Sequence, residues 1–225
     1  MNVVVFASRK GGSGKSTLTA HLAAHAHRPE RPVLMIDADP QGSLALWHKL
    51  RGGGEPPLCS GVDGVGDLVR AARRAGYEWV FVDTPPNTSA VVTDAVHAAT
   101  LIVIPARLTV FDLAAVKETM DLARQLNKPF AVVINGVPAR RDSAESPYVR
   151  EARRVLGSLN VPVWSGQITQ RTNYSLALAE GEGACEFDGR SEAAAEIGGL
   201  WSAIEKSVKA IHGAYHGAAM HRVAA

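Results

Sequence analysis

Two lysines, Lys10 and Lys15, bracket a run of small residues, Gly11-Gly12-Ser13-Gly14, which continues into Ser16 and Thr17. Ammonium groups, a hydroxyl and closely spaced backbone N–H groups suit a bound phosphate. Glycines let the backbone curl around such an anion, and a helix opening here would aim its first N–H groups at it. The usual phosphate-loop pattern, G-x-x-x-x-G-K-[ST], needs Gly at position 9, where this chain has Arg9. In that pattern Lys15 reaches the β- and γ-phosphates of a nucleotide and Ser16 ligates Mg²⁺. The N–H of Thr17 meets the α-phosphate. One lysine suffices for that work, so Lys10 needs another explanation.

Carboxylates supply the complementary chemistry. Trp79-Val-Phe-Val-Asp83 is an apolar run ending in an acid and followed by Thr84-Pro85-Pro86. Paired with the phosphate loop, it reads as a Walker B arrangement in which Asp83 holds Mg²⁺ through water. Alone, such a run would be a strand with an end cap. A second segment, Asp37-Ala38-Asp39-Pro40-Gln41-Gly42-Ser43, brings two acids near the phosphates if the chain turns at Pro40. A carboxylate facing the γ-phosphate can orient or deprotonate the attacking water, the role expected of Asp39. Asp37 is a candidate for the metal's outer coordination. The plainer reading makes both of them turn and cap residues before a helix at Ser43.

Positioning these groups requires strands that end where they stand. Val3–Ala7, Val33–Asp37, Trp79–Asp83, Leu101–Pro105 and Phe130–Asn135 are continuous apolar runs, as expected for parallel strands covered on both faces. Helical patterns alternate with them: Ser16–His27, Ser43–Arg51, Val65–Ala75, Thr88–Ala98, Val110–Gln125 and Ala144–Leu156. A short strand at Val161–Trp164 and helices at Asn173–Glu180 and Arg190–Ile211 complete the pattern. The expected fold is α/β: a single-domain, doubly wound, mostly parallel sheet of P-loop NTPase type, with ligands at the carboxyl ends of its strands. The domain spans 1–211, and 212–225 is expected to fray. Arg51–Gly64, with five glycines and two prolines, reads as a loop.

The chain has 225 residues, enough for one domain with a full core, and 46% are hydrophobic. A net charge of +2 means that any basic surface must be local. Cys59 and Cys185 stand far apart without a partner motif, which fits a reducing cytosol and no disulfide framework. No apolar run approaches a membrane span, so a cytoplasmic protein is expected. His21 and His25, like His212 and His216, are one helical turn apart and could share a metal, but no acid or cysteine completes either pair in sequence. A surface or packing role is expected instead.

Lys10-Gly-Gly-x-Gly-Lys15-Ser16-Thr17 resembles the deviant Walker A motif of the ParA/MinD ATPase family. Asp37-x-Asp39-Pro-Gln-Gly and Val80-x-Val-Asp83-Thr-Pro-Pro are similar to that family's switch segments. The resemblance continues through Leu101–Pro105, Phe130–Asn135 and Gln167-Ile-Thr-Gln-Arg171, and is greatest to small, plasmid-type ParA proteins of the ParF kind. It implies ATP and ADP as ligands with Mg²⁺, bound by residues 10–17. It implies that Lys10 crosses an ATP-dependent homodimer interface to touch the partner's phosphates, as an arginine finger does in trans. Asp39 takes the water-activating position, Asn135 an adenine-contacting one, and Asp112 that of an acid often paired with the signature lysine. Residues 105–112 lack the additional prolines of ParF-like proteins, so their higher-order assembly is not implied.

The resemblance also implies weak ATP hydrolysis stimulated by a small adaptor or centromere-binding protein with a basic N-terminal segment. The ATP dimer would bind double-stranded DNA without sequence preference and so associate with the nucleoid. Arg140, Arg141, Arg150, Arg153, Arg154 and Arg171 are the DNA-contact candidates, each set against the alternative of a solvated helix face. The rival is a MinD-like membrane-positioning ATPase, which would need the stripe Leu200, Trp201, Ile204, Val208 and Ile211 as part of a lipid anchor. A core-facing final helix explains that stripe better. A cluster-carrier relative would need bridging cysteines, and a small-molecule kinase would have no use for Lys10.

Overall fold

The computed structural model describes residues 1–62, 64–87, 89–107, 110–140 and 144–223, with side chains at 110–113 and 215–223 outside that description. Its seven strands are β1 (Asn2–Phe6), β2 (Val33–Asp37), β3 (Leu58–Ser60), β4 (Trp79–Asp83), β5 (Leu101–Ala106), β6 (Phe130–Val137) and β7 (Ile168–Thr169). They form one sheet in the order β3-β2-β4-β1-β5-β6-β7, every pair parallel. The helices are α1 (Lys15–Ala26), α2 (Ser43–Leu50), α3 (Val65–Arg74), α4 (Ala90–Ala98), α5 (Val110–Gln125), α6 (Pro147–Ser158), α7 (Thr172–Ala179), α8 (Ala184–Phe187) and α9 (Glu192–Val223).

Continuous apolar strands make sense here because both sheet faces are covered. Val4, Phe6, Met35, Phe81 and Val103 face a core completed by α1, α2, α7, α8 and α9. Their neighbours Val3, Val5, Ile36, Val82 and Ile104 face a second core completed by α3, α4, α5 and α6. Alternate residues of each strand thus serve opposite layers. The stripe on α9 belongs to the first core, where Trp201 meets the Trp79 ring edge-on at 4.7 Å. Leu200, Trp201, Ile204 and Val208 are buried inside the protein and are not presented to lipid.

Three expectations need correction. The segment read as a loop at Arg51–Gly64 contains the edge strand β3, paired through Leu58, Cys59 and Ser60 to Met35, Ile36 and Asp37. Three residues beside a glycine-rich stretch give too little pattern to be seen. The strand expected at Val161–Trp164 is reduced to a single bridge between Val163 and Val132, because Pro162 has no N–H for a ladder. Helix α6 starts at Pro147, later than the expected Ala144, because Ser146 caps it by accepting the Val149 N–H and Pro147 suits its first position. Helix α9 spans Glu192–Val223.

Candidate functional site

At the carboxyl ends of β1, β2 and β4 the sequence motifs come together. The strands pair in register, so Asp83 stands beside Phe6 on one side and Asp37 on the other. Beyond Phe6 the chain enters the glycine loop, and Gly14 caps α1 in a left-handed conformation with φ 102°. Only glycine fits there on two grounds. A side chain would be strained at that φ, and its Cβ would run into the Asn135 Nδ2.

That Asn135 contact was not foreseen. From the end of β6 its Nδ2 donates to the Ser13 carbonyl at 2.6 Å and braces the middle of the loop. Lys15 is buried, and its Nζ donates to the Lys10 carbonyl at 3.4 Å, tying the two ends of the loop together. Burial pushes the Lys15 ammonium pKa down, while Asp83 and Asp39 resist that shift. Arg9, at the loop entrance, forms a 2.6 Å ion pair with Glu118 of α5.

The three acids have different surroundings. Asp37 spends both oxygens on backbone: Oδ1 accepts from the Asp39 N–H at 3.1 Å and Oδ2 from the Ala45 N–H at 2.9 Å. It therefore fixes the turn into α2, which fits the turn-and-cap reading. Asp39 uses Oδ1 for the Gln41 N–H at 3.0 Å and is only half-buried, facing the cleft. Asp83 is wholly buried, and neither of its oxygens finds a hydrogen-bond partner. Burial raises its pKa to about 7, despite the nearby Ser16 hydroxyl and Lys15 ammonium, which pull it down.

An orphaned, buried carboxylate beside a serine hydroxyl is what a hydrated divalent cation would complete. Among the described residues no three His, Cys, Asp or Glu side chains converge as in an all-protein metal site. A cation here would need ligand oxygens from a bound phosphate, the usual condition for Mg²⁺.

Over these groups lies a cleft of about 460 Å³ lined by Gly11, Gly12, Gly14, Lys15, Ser16 and Thr17 with Asp39 and Gln41. Trp47, Leu178 and Arg107 also reach it, and none of the three stood out in the sequence. Arg107 had a readable signal, since it follows β5 at the same end of the sheet. Trp47 lacked one, because its position on α2 looks like any core aromatic. Lys10 is half-buried beside the cleft, and the Asp112 side chain lies outside the described residues.

The arginine candidates lie apart from the cleft and differ from one another. Arg153 donates to Glu145 at 2.8 Å and to the carbonyls of Trp164, Ser165 and Gly166, clamping α6 to the segment before β7. Arg171 is held by Glu196 at 2.9 Å, and Arg140 shares Glu145 at 3.2 Å. Arg154 pairs with Glu151 one turn away, both exposed. Arg150 is exposed with no ion-pair partner among the described residues, and Arg141 lies outside them.

Comparison with known proteins agrees with this architecture. The family model of the CobQ/CobB/MinD/ParA nucleotide binding domain matches residues 4–184. The chain is 32% identical over 196 residues to the maintenance of carboxysome distribution protein A of Gloeobacter kilaueensis, covering 86% of this chain and 88% of that one. It is 31% identical over 143 residues to the chromosome-partitioning ATPase Soj of Thermus thermophilus, covering 50% and 57%. Among solved structures, apo McdA from Cyanothece superposes with a TM-score of 0.73 at 17% identity, over 91% of this chain and 99% of that one. The septum site-determining protein MinD of Pyrococcus horikoshii, complexed with Mg-ADP, gives 0.70 at 17% identity over 93% and 98%.

Proposed function

The chain belongs to the CobQ/CobB/MinD/ParA nucleotide-binding family, and on that premise we propose that it is a ParA-type positioning ATPase that cycles between monomer and ATP-bound dimer. One observation carries the proposal. A phosphate loop with lysines at both ends opens on a cleft that presents the half-buried Asp39, and the unsatisfied buried carboxylate of Asp83 lies close to the cleft-lining Lys15 and Ser16. In this reading ATP lies on residues 11–17, with Lys15 on its β- and γ-phosphates. Ser16 and, through water, Asp83 would hold Mg²⁺, which would offset the charge of the phosphates there. Asp39 positions the attacking water, and Asn135 holds the loop in shape while its Oδ1 remains for the adenine. Lys10 completes the partner subunit's site and offsets charge that develops in phosphoryl transfer.

The ATP dimer is proposed to bind duplex DNA without sequence preference and to release it after hydrolysis stimulated by an adaptor with a basic N-terminal segment. Relatives named for carboxysome distribution and chromosome partitioning support a cargo-positioning role. Among the arginines, Arg150 is the best-placed DNA contact because no carboxylate among the described residues holds it, with Arg154 and Arg140 next. The test is binding of Asp39→Ala protein, loaded with ATP and Mg²⁺, to random-sequence duplex DNA across a salt series. Binding should weaken steeply with salt, and Arg150→Ala should reduce the log–log slope by about 1. A loaded protein that ignores duplex DNA at low salt would end the DNA-carrier reading.

A further inference from the structure

We propose a second anion site, at the end of the sheet opposite the P-loop, that takes a small phosphorylated anion. A cavity of about 490 Å³ lies between α3, α4, the segment around Thr100, Lys128 and α9. It is as large as the nucleotide cleft and sits at the amino end of β1, where the Val3 N–H donates to Thr100 Oγ1 at 3.0 Å. In that bond the threonine oxygen only accepts, which leaves its proton for another acceptor.

The charge of the lining decides what could enter. Arg70, Arg73 and Lys128 surround the cavity together with His97 and His212, in a chain whose net charge is only +2. The lining contains one acid, Asp94, and its Oδ2 is taken up by the N–H groups of Val65 and Gly66 at 2.7 and 2.8 Å. Asp94 thereby anchors the start of α3, and among the described residues it forms no ion pair with the arginines. Among the described residues Arg70 keeps only an exposed pair with Asp67 on its own helix. Among the described residues the side chains of Arg73 and His97 have no hydrogen-bond or ion-pair partner.

Two further donors are already held at the rim. Lys128 Nζ reaches the Ala99 carbonyl at 3.3 Å, and His212 Nε2 shares a 2.8 Å hydrogen bond with Asn2 Oδ1. Three cations, two from α3 and one from the Lys128 segment, set in one concavity beside two imidazoles, match a compact polyanion, whose oxygens can each take a charge-assisted bond.

Calorimetric titration of the full chain with inorganic tripolyphosphate tests this. Saturable binding should appear and should persist in Lys15→Ala protein, where the P-loop is disabled. In that Lys15→Ala background, Arg73→Ala should weaken it by about tenfold or more, and Arg73→Glu should abolish it. Both Arg73 variants should keep Tm within about 2 °C of the parent, as expected for exposed positions. The proposal fails if the binding disappears in Lys15→Ala, if Arg73→Glu leaves it unchanged, or if duplex DNA binds at these residues while tripolyphosphate does not saturate.

Discussion

A carboxylate buried without a donor costs free energy until something cationic reaches it, and Asp83 is in that state. Asp83→Asn should therefore stabilise the nucleotide-free protein by about 1–3 kcal/mol, read by urea unfolding, while removing Mg²⁺-dependent nucleotide binding. A variant that is less stable and still binds Mg·nucleotide would refute the assigned role. His21 presents the opposite case. Its ring is buried against Tyr174, its Nδ1 accepts the Ala184 N–H at 3.0 Å, and burial lowers its pKa to about 4. Above pH 6.5 both folded and unfolded chains hold it neutral. As pH falls from 6.5 toward 4 the unfolded chain takes up a proton that the folded one refuses, so stability is lost on the acid side. Between pH 7 and pH 5 this one group should cost about 2 kcal/mol, and His21→Gln should lose that much less stability over the same interval. At this scale the phosphate loop and the acids were legible because they follow strands at readable spacings. The Asn135 brace and the His21 contact were not, because their partners lie 122 and 163 residues away in sequence.

Elements were legible where both faces of a strand or one long stripe of a helix repeat the same pattern. The five strands that carry the site were visible for that reason. Strand β3 was hidden by its length, and the strand expected at Val161–Trp164 was cut to a bridge by a proline. Arginines illustrate the limit of pattern more sharply. Arg153 and Arg154 are neighbours on α6 and look equivalent in sequence. One grips Glu145 and three carbonyls, and the other holds a single exposed partner. Arg153→Ala should destabilise the protein by about 2 kcal/mol or more, and Arg154→Ala should leave it nearly unchanged, in denaturant titrations. Equal effects would mean that the clamp does not hold α6. At α9, truncating the buried Trp201 that packs on Trp79 and Phe81 should cost about 3–5 kcal/mol, because this helix closes one of the two cores. A smaller loss, with liposome binding gained, would revive the membrane reading.

The whole molecule has two ends with different chemistry. At the carboxyl end of the sheet stand the glycine loop, three acids and Lys10, and at the amino end a cation-lined cavity. Family membership accounts for the first end in a way that a single subunit does not. Lys15 is buried within its own site, whereas Lys10 is half-buried next to an Arg9 pinned to α5. The cross-subunit role proposed for Lys10 makes dimerisation the central claim. Light scattering after size exclusion, with ATP and Mg²⁺ present, addresses it directly. Asp39→Ala protein should elute at twice the 23.8 kDa chain mass, and adding Lys10→Ala to it should return the mass to one chain. An Asp39→Ala, Lys10→Ala protein that still dimerises as fully on ATP would contradict the account.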